Sequence, residues 1–82
     1  FCLLGQFYTK KQEWSKAKAS FNESTKIYKE INSKYGLGQA YYYESRMFEA
    51  LGERGTAKKL FARSLEIFEE LGCEGWIRKI VD

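Results

Sequence analysis

The amino-acid sequence predicts an all-α fold in which antiparallel helical hairpins stack side by side as an α-solenoid. Three observations predict it: proline is absent, apolar residues recur at spacings of three and four, and the chain resembles itself after a shift of 40 residues. No run of β-branched residues alternates with polar ones, so strand signals are weak. A repeat period of roughly 20–50 residues is typical of solenoid arrays.

The 40-residue shift aligns the two halves of the chain without a gap. Apolar character is also kept at aligned positions that are not identical, since Tyr28 aligns with Phe68 and Ile31 with Leu71. The identical pairs are Glu13 with Glu53, Ala17 with Ala57, Lys18 with Lys58, Phe21 with Phe61, Ser24 with Ser64, Ile27 with Ile67, and Glu30 with Glu70. We therefore expect repeat one at about 1–34, repeat two at about 35–73, and a partial third repeat or capping helix at about 74–82.

Each repeat is expected to contain a shorter helix followed by a longer one. The longer helix of repeat two carries a continuous apolar stripe at helical spacing: Ala57, Leu60, Phe61, Ser64, Leu65, Phe68 and Leu71. Its copy in repeat one carries Ala17, Phe21, Ser24, Tyr28 and Ile31. The shorter helix of repeat two presents Leu37, Ala40, Tyr41, Phe48 and Leu51. Such stripes mark the face that each helix buries.

Turn signals separate these helices. Gly52 and Gly55 interrupt the helical pattern within repeat two, "NSKYG" does so between the repeats, and "LGCEG" does so near residue 74. Glycine favours such positions because it adopts left-handed backbone angles without steric cost.

Charge and composition narrow the function classes. The fourteen basic and eleven acidic residues are interleaved, which does not favour a nucleic-acid interface. The densest basic patch consists of Lys10, Lys11, Lys16 and Lys18. We interpret these lysines as charge on solvated helix faces, with phosphate binding as the alternative. No apolar run is long enough to span a membrane and no signal peptide is evident, so we expect a cytoplasmic protein. The start at Phe1 rather than Met predicts a piece of a longer chain.

No residue set predicts catalysis, and no cofactor or metal is expected. Histidine is absent, which removes His-based acid–base chemistry and most zinc sites. The "GLG" at 36–38 lacks the third glycine of a dinucleotide fingerprint. We expect the side chains of Cys2 and Cys73 to be half-buried and unreactive. The remaining candidates are carboxylates that we interpret as surface charge: Glu66, Glu69 and Glu70.

The signature positions of repeat one resemble those of the tetratricopeptide repeat family. "F-x2-LG-x2-Y" followed by A-x3-F carries the resemblance, at Phe1, Leu4, Gly5, Tyr8, Ala17 and Phe21. Repeat two matches it less fully, at Tyr41, Phe48, Ala57 and Phe61. The chain departs from the family in its 40-residue period, in lacking a closing proline, and in placing Glu44 and Ser45 where repeat one has Leu4 and Gly5.

The resemblance implies a concave groove, lined by the shorter helices, that binds a peptide or helix of another protein. On a helix, successive residues point about 100° apart, so Tyr41 is expected in the core while Tyr42 and Tyr43 face away. The expected groove residues are Gln6, Thr9, Lys10, Gln39, Tyr42, Tyr43, Arg46, Glu49 and Lys79. An equally open interpretation is that Tyr42 or Tyr43 packs on a neighbouring helix and stiffens the array.

The sequence thus favours a protein-interaction module that is not an enzyme. A structural repeat segment that associates with itself is the alternative, through apolar end faces at Phe1, Leu4, Ile77 and Ile80.

Overall fold

The computed structural model describes residues 3–81, and these form five α-helices and no strand. The helices are α1 Leu3–Lys10, α2 Trp14–Glu30, α3 Lys34–Leu51, α4 Arg54–Leu71 and α5 Glu74–Val81. The all-α prediction is therefore confirmed. Phe1 and Cys2, which the sequence singles out, lie outside the described residues.

Consecutive helices pack on one another. The most extensive contact joins α3 to α4, followed by α2 with α3 and α1 with α2, while α5 packs on α4 and α1 also contacts α3. The overall extents are 33 × 29 × 18 Å. Because a helix with its side chains is about 10 Å wide, the shortest dimension corresponds to about two helix layers.

The four turns between helices share one backbone geometry and recur every 20 residues. Gln12, Asn32, Gly52 and Gly72 all have positive φ, between 56° and 95°. In each turn the next residue donates its N–H to the carbonyl five positions earlier, as Glu53 does to Phe48 at 2.9 Å. This is the Schellman arrangement, in which a left-handed residue closes the helix and its carbonyls are satisfied. The helix-plus-turn unit is thus 20 residues, half the period that the sequence alignment detects.

The core is centred on α2 and α3. Ala17, Phe21, Ala40 and Met47 are completely buried, with half-buried aromatic side chains packed around them, among them Tyr8, Trp14, Tyr28, Tyr43 and Phe48. A Cβ at Gly5 would lie 2.6 Å from the Phe21 ring, so the absence of a side chain lets α1 approach α2 closely. A second buried group joins α3 to α4, where the Ser64 hydroxyl donates to the Gly38 carbonyl at 2.8 Å.

The helix α3 differs most from its prediction. It has 18 residues, the same as α4, so it is not the shorter member of its hairpin. It also buries side chains outside the predicted stripe: Tyr42, Ser45 and Met47. The physical reason is that α3 contacts three helices, α1, α2 and α4, so more than one of its faces is covered.

The predicted stripes of α2 and α4 are correct at their centres and wrong at their ends. Ala17, Phe21 and Ser24 are buried on α2, as are Ala57, Ser64 and Phe68 on α4. By contrast, Ile31 and Leu71 are 60% and 43% exposed; Ile31 follows the last residue of α2, and Leu71 is the last residue of α4. Leu4, a family signature position, is also exposed.

A carboxylate on α3, that of Glu44, is half-buried, and this burial raises its pKa above the ordinary value of 4.5. A raised pKa in the folded state means that ionised Glu44 destabilises the fold. Stability is therefore greater when the carboxyl is protonated and falls as the pH rises through its folded pKa. We expect Glu44→Gln to increase the free energy of unfolding at pH 7, and the gain to vanish as the pH falls toward 4.

Urea denaturation at the two pH values measures this effect. Glu23→Gln is the matched control, since Glu23 is exposed on α2 and its loss changes the net charge equally. Equal gains from the two substitutions at pH 7 would trace the effect to net charge and not to burial.

Candidate functional site

The candidate site is a groove of about 340 Å³ on the surface formed by alternate helices. Its lining comes only from α1, α3 and α5, which supply Gln6, Thr9, Lys10, Tyr42, Tyr43, Arg46, Ala50 and Lys79. No side chain of α2 or α4 lines it. The groove therefore exists because these three helices, separated along the chain by α2 and α4, present their side chains to one common space.

Seven of the nine residues predicted for a groove line this one. The exceptions are Gln39 and Glu49. Glu49 instead lines a second cavity between α3 and α4, together with Arg54, Gly55, Ala57, Lys58 and Phe61. Gln39 is half-buried and lies one turn from Tyr43 on α3. Ala50 lines the groove although the sequence gives no reason to single out a small apolar residue.

The expectation that Tyr41 lies in the core while Tyr42 faces away from it is wrong, and the other interpretation, that Tyr42 packs on a neighbouring helix, agrees with its contact with Trp76 on α5. Tyr42 is 2% exposed, whereas Tyr41 is only half-buried. The Tyr42 ring makes edge contacts with Tyr43, Phe61 and Trp76, at centroid distances of 5.1, 6.0 and 5.5 Å. Tyr42 consequently forms the floor of the groove, and Tyr43, which is half-buried, forms part of its wall.

Two cations lie over the Tyr42 ring. The Arg46 guanidinium is 5.9 Å from the ring centroid, and the Lys79 ammonium is 5.5 Å from it. Arg46 also donates a hydrogen bond of 3.0 Å to the Tyr42 hydroxyl. This bond raises the pKa of Arg46 above its ordinary value. The bond also fixes the direction of the Arg46 side chain in the groove lining.

The sequence analysis missed Trp76, which attaches α5 to the rest of the protein. Its ring stacks on Phe68 at 5.0 Å with an interplanar angle of 9°, and its Nε1 donates to the Tyr35 hydroxyl at 2.8 Å. The Lys79 ammonium lies 4.9 Å from the Trp76 centroid, one turn along α5. Trp76 thus positions Lys79 at the groove. The 40-residue alignment pairs Trp76 with Gly36, so the repeat pattern gave no signal for it.

Three lysines of the basic patch, Lys11, Lys16 and Lys18, lie over the rings of Phe7, Tyr8 and Phe48 respectively.

The predicted surface carboxylates on α4 are exposed, and one of them, Glu70, forms an ion pair with Lys34. Cys73 is a free, half-buried thiol. Among the residues described, no three His, Cys, Asp or Glu side chains are grouped to hold a metal ion.

None of the helices within residues 3–81 combines the length and the apolar character needed to cross a lipid bilayer. In comparisons with known proteins, the chain matches no protein-family model, no curated protein and no solved structure.

Proposed function

We propose that this chain is a segment of an α-solenoid of tetratricopeptide-like hairpins, whose groove binds a peptide or helix of another protein. The first support is the recurrence of one turn geometry at Gln12, Asn32, Gly52 and Gly72. Identical turns at equal spacing rotate each helix by the same amount relative to the one before. Hairpins joined in this way stack with the odd-numbered helices on one side and the even-numbered helices on the other.

The groove carries the functional part of the proposal. Its residues were expected together from a repeat pattern, and seven of them line one space formed by α1, α3 and α5. Tyrosine and arginine are enriched at protein-binding hot spots because they combine contact area with hydrogen bonding. Here Tyr43 and Arg46 supply both, above a floor made rigid by the packing of Tyr42. The proposed action is docking without turnover of a substrate.

Selection from a displayed library of random peptides supplies probes for the groove. We expect Tyr43→Ala to weaken the recovered peptides roughly tenfold or more, as truncation of a hot-spot aromatic costs about 1–2 kcal/mol or more. Isothermal titration calorimetry measures this, and circular dichroism checks that the helices remain. Tyr42 is unsuitable for this test because its buried ring supports the fold.

Phe7→Ala is the matched control, because Phe7 is 49% exposed and does not line the groove. If Tyr43→Ala leaves the affinities unchanged, or if Phe7→Ala lowers them equally, the groove is not the binding surface.

Self-association is a second candidate function, and a specific observation favours it. Large apolar side chains are exposed on the first and last described helices: Leu4 at 58%, Phe7 at 49% and Val81 at 62%. Burying such side chains against a second copy would stabilise an assembly. Sedimentation velocity over a range of concentrations distinguishes the two, since a single mass throughout the range excludes assembly.

A further inference from the structure

We infer that the partner segment is acidic, and that its Asp and Glu side chains bind to three cations around the groove. This inference rests on the proposed groove and specifies the chemistry of its ligand. The three cations are Lys10 from α1, Arg46 from α3 and Lys79 from α5. Among residues 3–81, no acidic side chain lines the groove. The chain as a whole carries eleven acidic and fourteen basic residues, so a groove lined by one sign of charge is not simply its average composition.

The three cations are not used in ion pairs within the described part of the chain. The ion pairs found there join Lys16 with Glu13 and Lys34 with Glu70, both away from the groove. Arg46 has Glu49 one turn away on α3, but that carboxylate lines the second cavity and makes no ion pair with it. The positive charge of the groove is therefore available to a ligand.

The aromatic rings hold two of these cations in place. The Lys79 ammonium lies beside both the Tyr42 and the Trp76 ring, and Arg46 donates a hydrogen bond to the Tyr42 hydroxyl. Cations positioned in advance lose less side-chain entropy when a carboxylate binds, which favours affinity. Arg46 still has donors to offer, because its guanidinium carries five N–H groups and one serves Tyr42.

The groove also provides apolar surface beside its charges. Tyr43 and Ala50 lie on α3 next to Arg46, and Gln6 on α1 supplies a neutral amide. The Thr9 hydroxyl, which donates to the Gly5 carbonyl at 2.7 Å, can still accept a hydrogen bond. A volume of about 340 Å³ holds a few side chains but no folded domain. The occupant that fits is an extended peptide segment in which acidic residues alternate with an apolar or aromatic one.

Three displayed peptide libraries test the inference, each built from the same apolar and aromatic residues. The first adds Asp and Glu, the second Asn and Gln, and the third Lys and Arg. We expect the acidic library to yield the tightest binders, roughly tenfold tighter than the amide library, and their affinity to fall as salt is raised, because surface charge pairs are screened.

Two triple variants with equal charge changes locate the effect. Lys10→Ala, Arg46→Ala and Lys79→Ala together should weaken the acidic binders roughly ten- to a hundredfold. The control combines Lys26→Ala, Lys59→Ala and Arg63→Ala, which removes two lysines and one arginine from exposed positions outside the groove. It should change affinity by less than about threefold, since only long-range charge is altered.

The outcomes separate this inference from the proposed function. If peptides from the amide or basic library bind as tightly as the acidic ones and are still weakened by Tyr43→Ala, the partner is not acidic. The groove would then remain the proposed binding surface. Equal losses in the two triple variants would also overturn the inference of an acidic partner. An absence of binders from all three libraries would overturn both proposals. Tight, salt-dependent binding of a random oligonucleotide through the same three cations would show that the ligand is a nucleic acid and not a peptide.

Discussion

Replacement of Phe68 by alanine is expected to cost about 3–5 kcal/mol of unfolding free energy. Phe68 is completely buried, its ring stacks on Trp76, and it makes an edge contact with Tyr35 at 5.9 Å. It also lies against Gly38, where a Cβ would come within 2.8 Å of the ring. Truncation would leave a cavity where α3, α4 and α5 meet. For a small domain stabilised by about 5–15 kcal/mol, this is a large fraction of the total.

Phe68→Ala should also weaken peptide binding in the groove, through Trp76. Trp76 loses its stacking partner in Phe68→Ala, and Trp76 holds α5, which carries Lys79. We therefore expect a lower urea midpoint and, at temperatures where the variant remains folded, weaker binding of acidic peptides. Tryptophan fluorescence in a Trp14→Phe background reports on Trp76 alone, since the chain has two tryptophans.

The exposed Phe7 provides the control for the size of this effect. Phe7→Ala removes the same atoms from a ring that is 49% exposed, so its cost should stay below about 1 kcal/mol. Similar midpoints for the two variants would mean that the ring of Phe68 does not hold α5 on α3 and α4.

The apolar stripes of α2 and α4 could be predicted from helical spacing, and they are buried at positions such as Phe21 and Ser64. The central helix α3 contacts α1, α2 and α4, whereas α2 and α4 each pack on two helices. A single stripe therefore could not describe α3, and Tyr42 is buried although the pattern predicts Tyr41 in the core. Periodicity within one helix contains no information on how many neighbours cover it.

The turns show a similar division. The turn at Gly52 could be predicted from the sequence, because glycine is the usual residue with positive φ. Asn32 has the same backbone geometry and stands in the predicted turn "NSKYG", because asparagine also adopts positive φ readily. Gln12 has this geometry without any equivalent signal in the sequence. A 20-residue pattern was nevertheless present in the sequence, since aromatic residues recur at Tyr8, Tyr28, Phe48 and Phe68, each accepting the bond that closes its turn.

Part of the groove lining was named from the sequence before the fold was known. Gln6, Thr9 and Lys10 were expected there from the resemblance alone, and they line one space with Tyr43 and Arg46. The positive charge of the groove could not be predicted, because it depends on which acidic residues lie outside the groove. Glu49 was expected in the groove and lines another cavity.

Placing leucine at Gly36 is expected to destabilise the protein by about 3 kcal/mol, although leucine is the better helix former. A Cβ at this position would lie 2.1 Å from Cδ1 and 2.6 Å from Cγ of Tyr28, so the whole ring would have to move. That ring belongs to α2 and Gly36 to α3, which means that the clash would separate these two helices. The helix preference for leucine over glycine, about 1 kcal/mol, is too small to offset this strain.

Gly55 allows the same substitution to be made without the clash. It lies in the first turn of α4, as Gly36 lies in the first turn of α3, and a Cβ there would meet nothing within 4 Å. Gly55→Leu should therefore leave stability unchanged or raise it by up to about 1 kcal/mol, so that one substitution has opposite signs at two equivalent sites. Thermal denaturation of both variants measures the difference. Equal rises in Tm would show that α2 and α3 are not in close contact at Tyr28, and the stacked hairpins on which the groove depends would lose their closest junction.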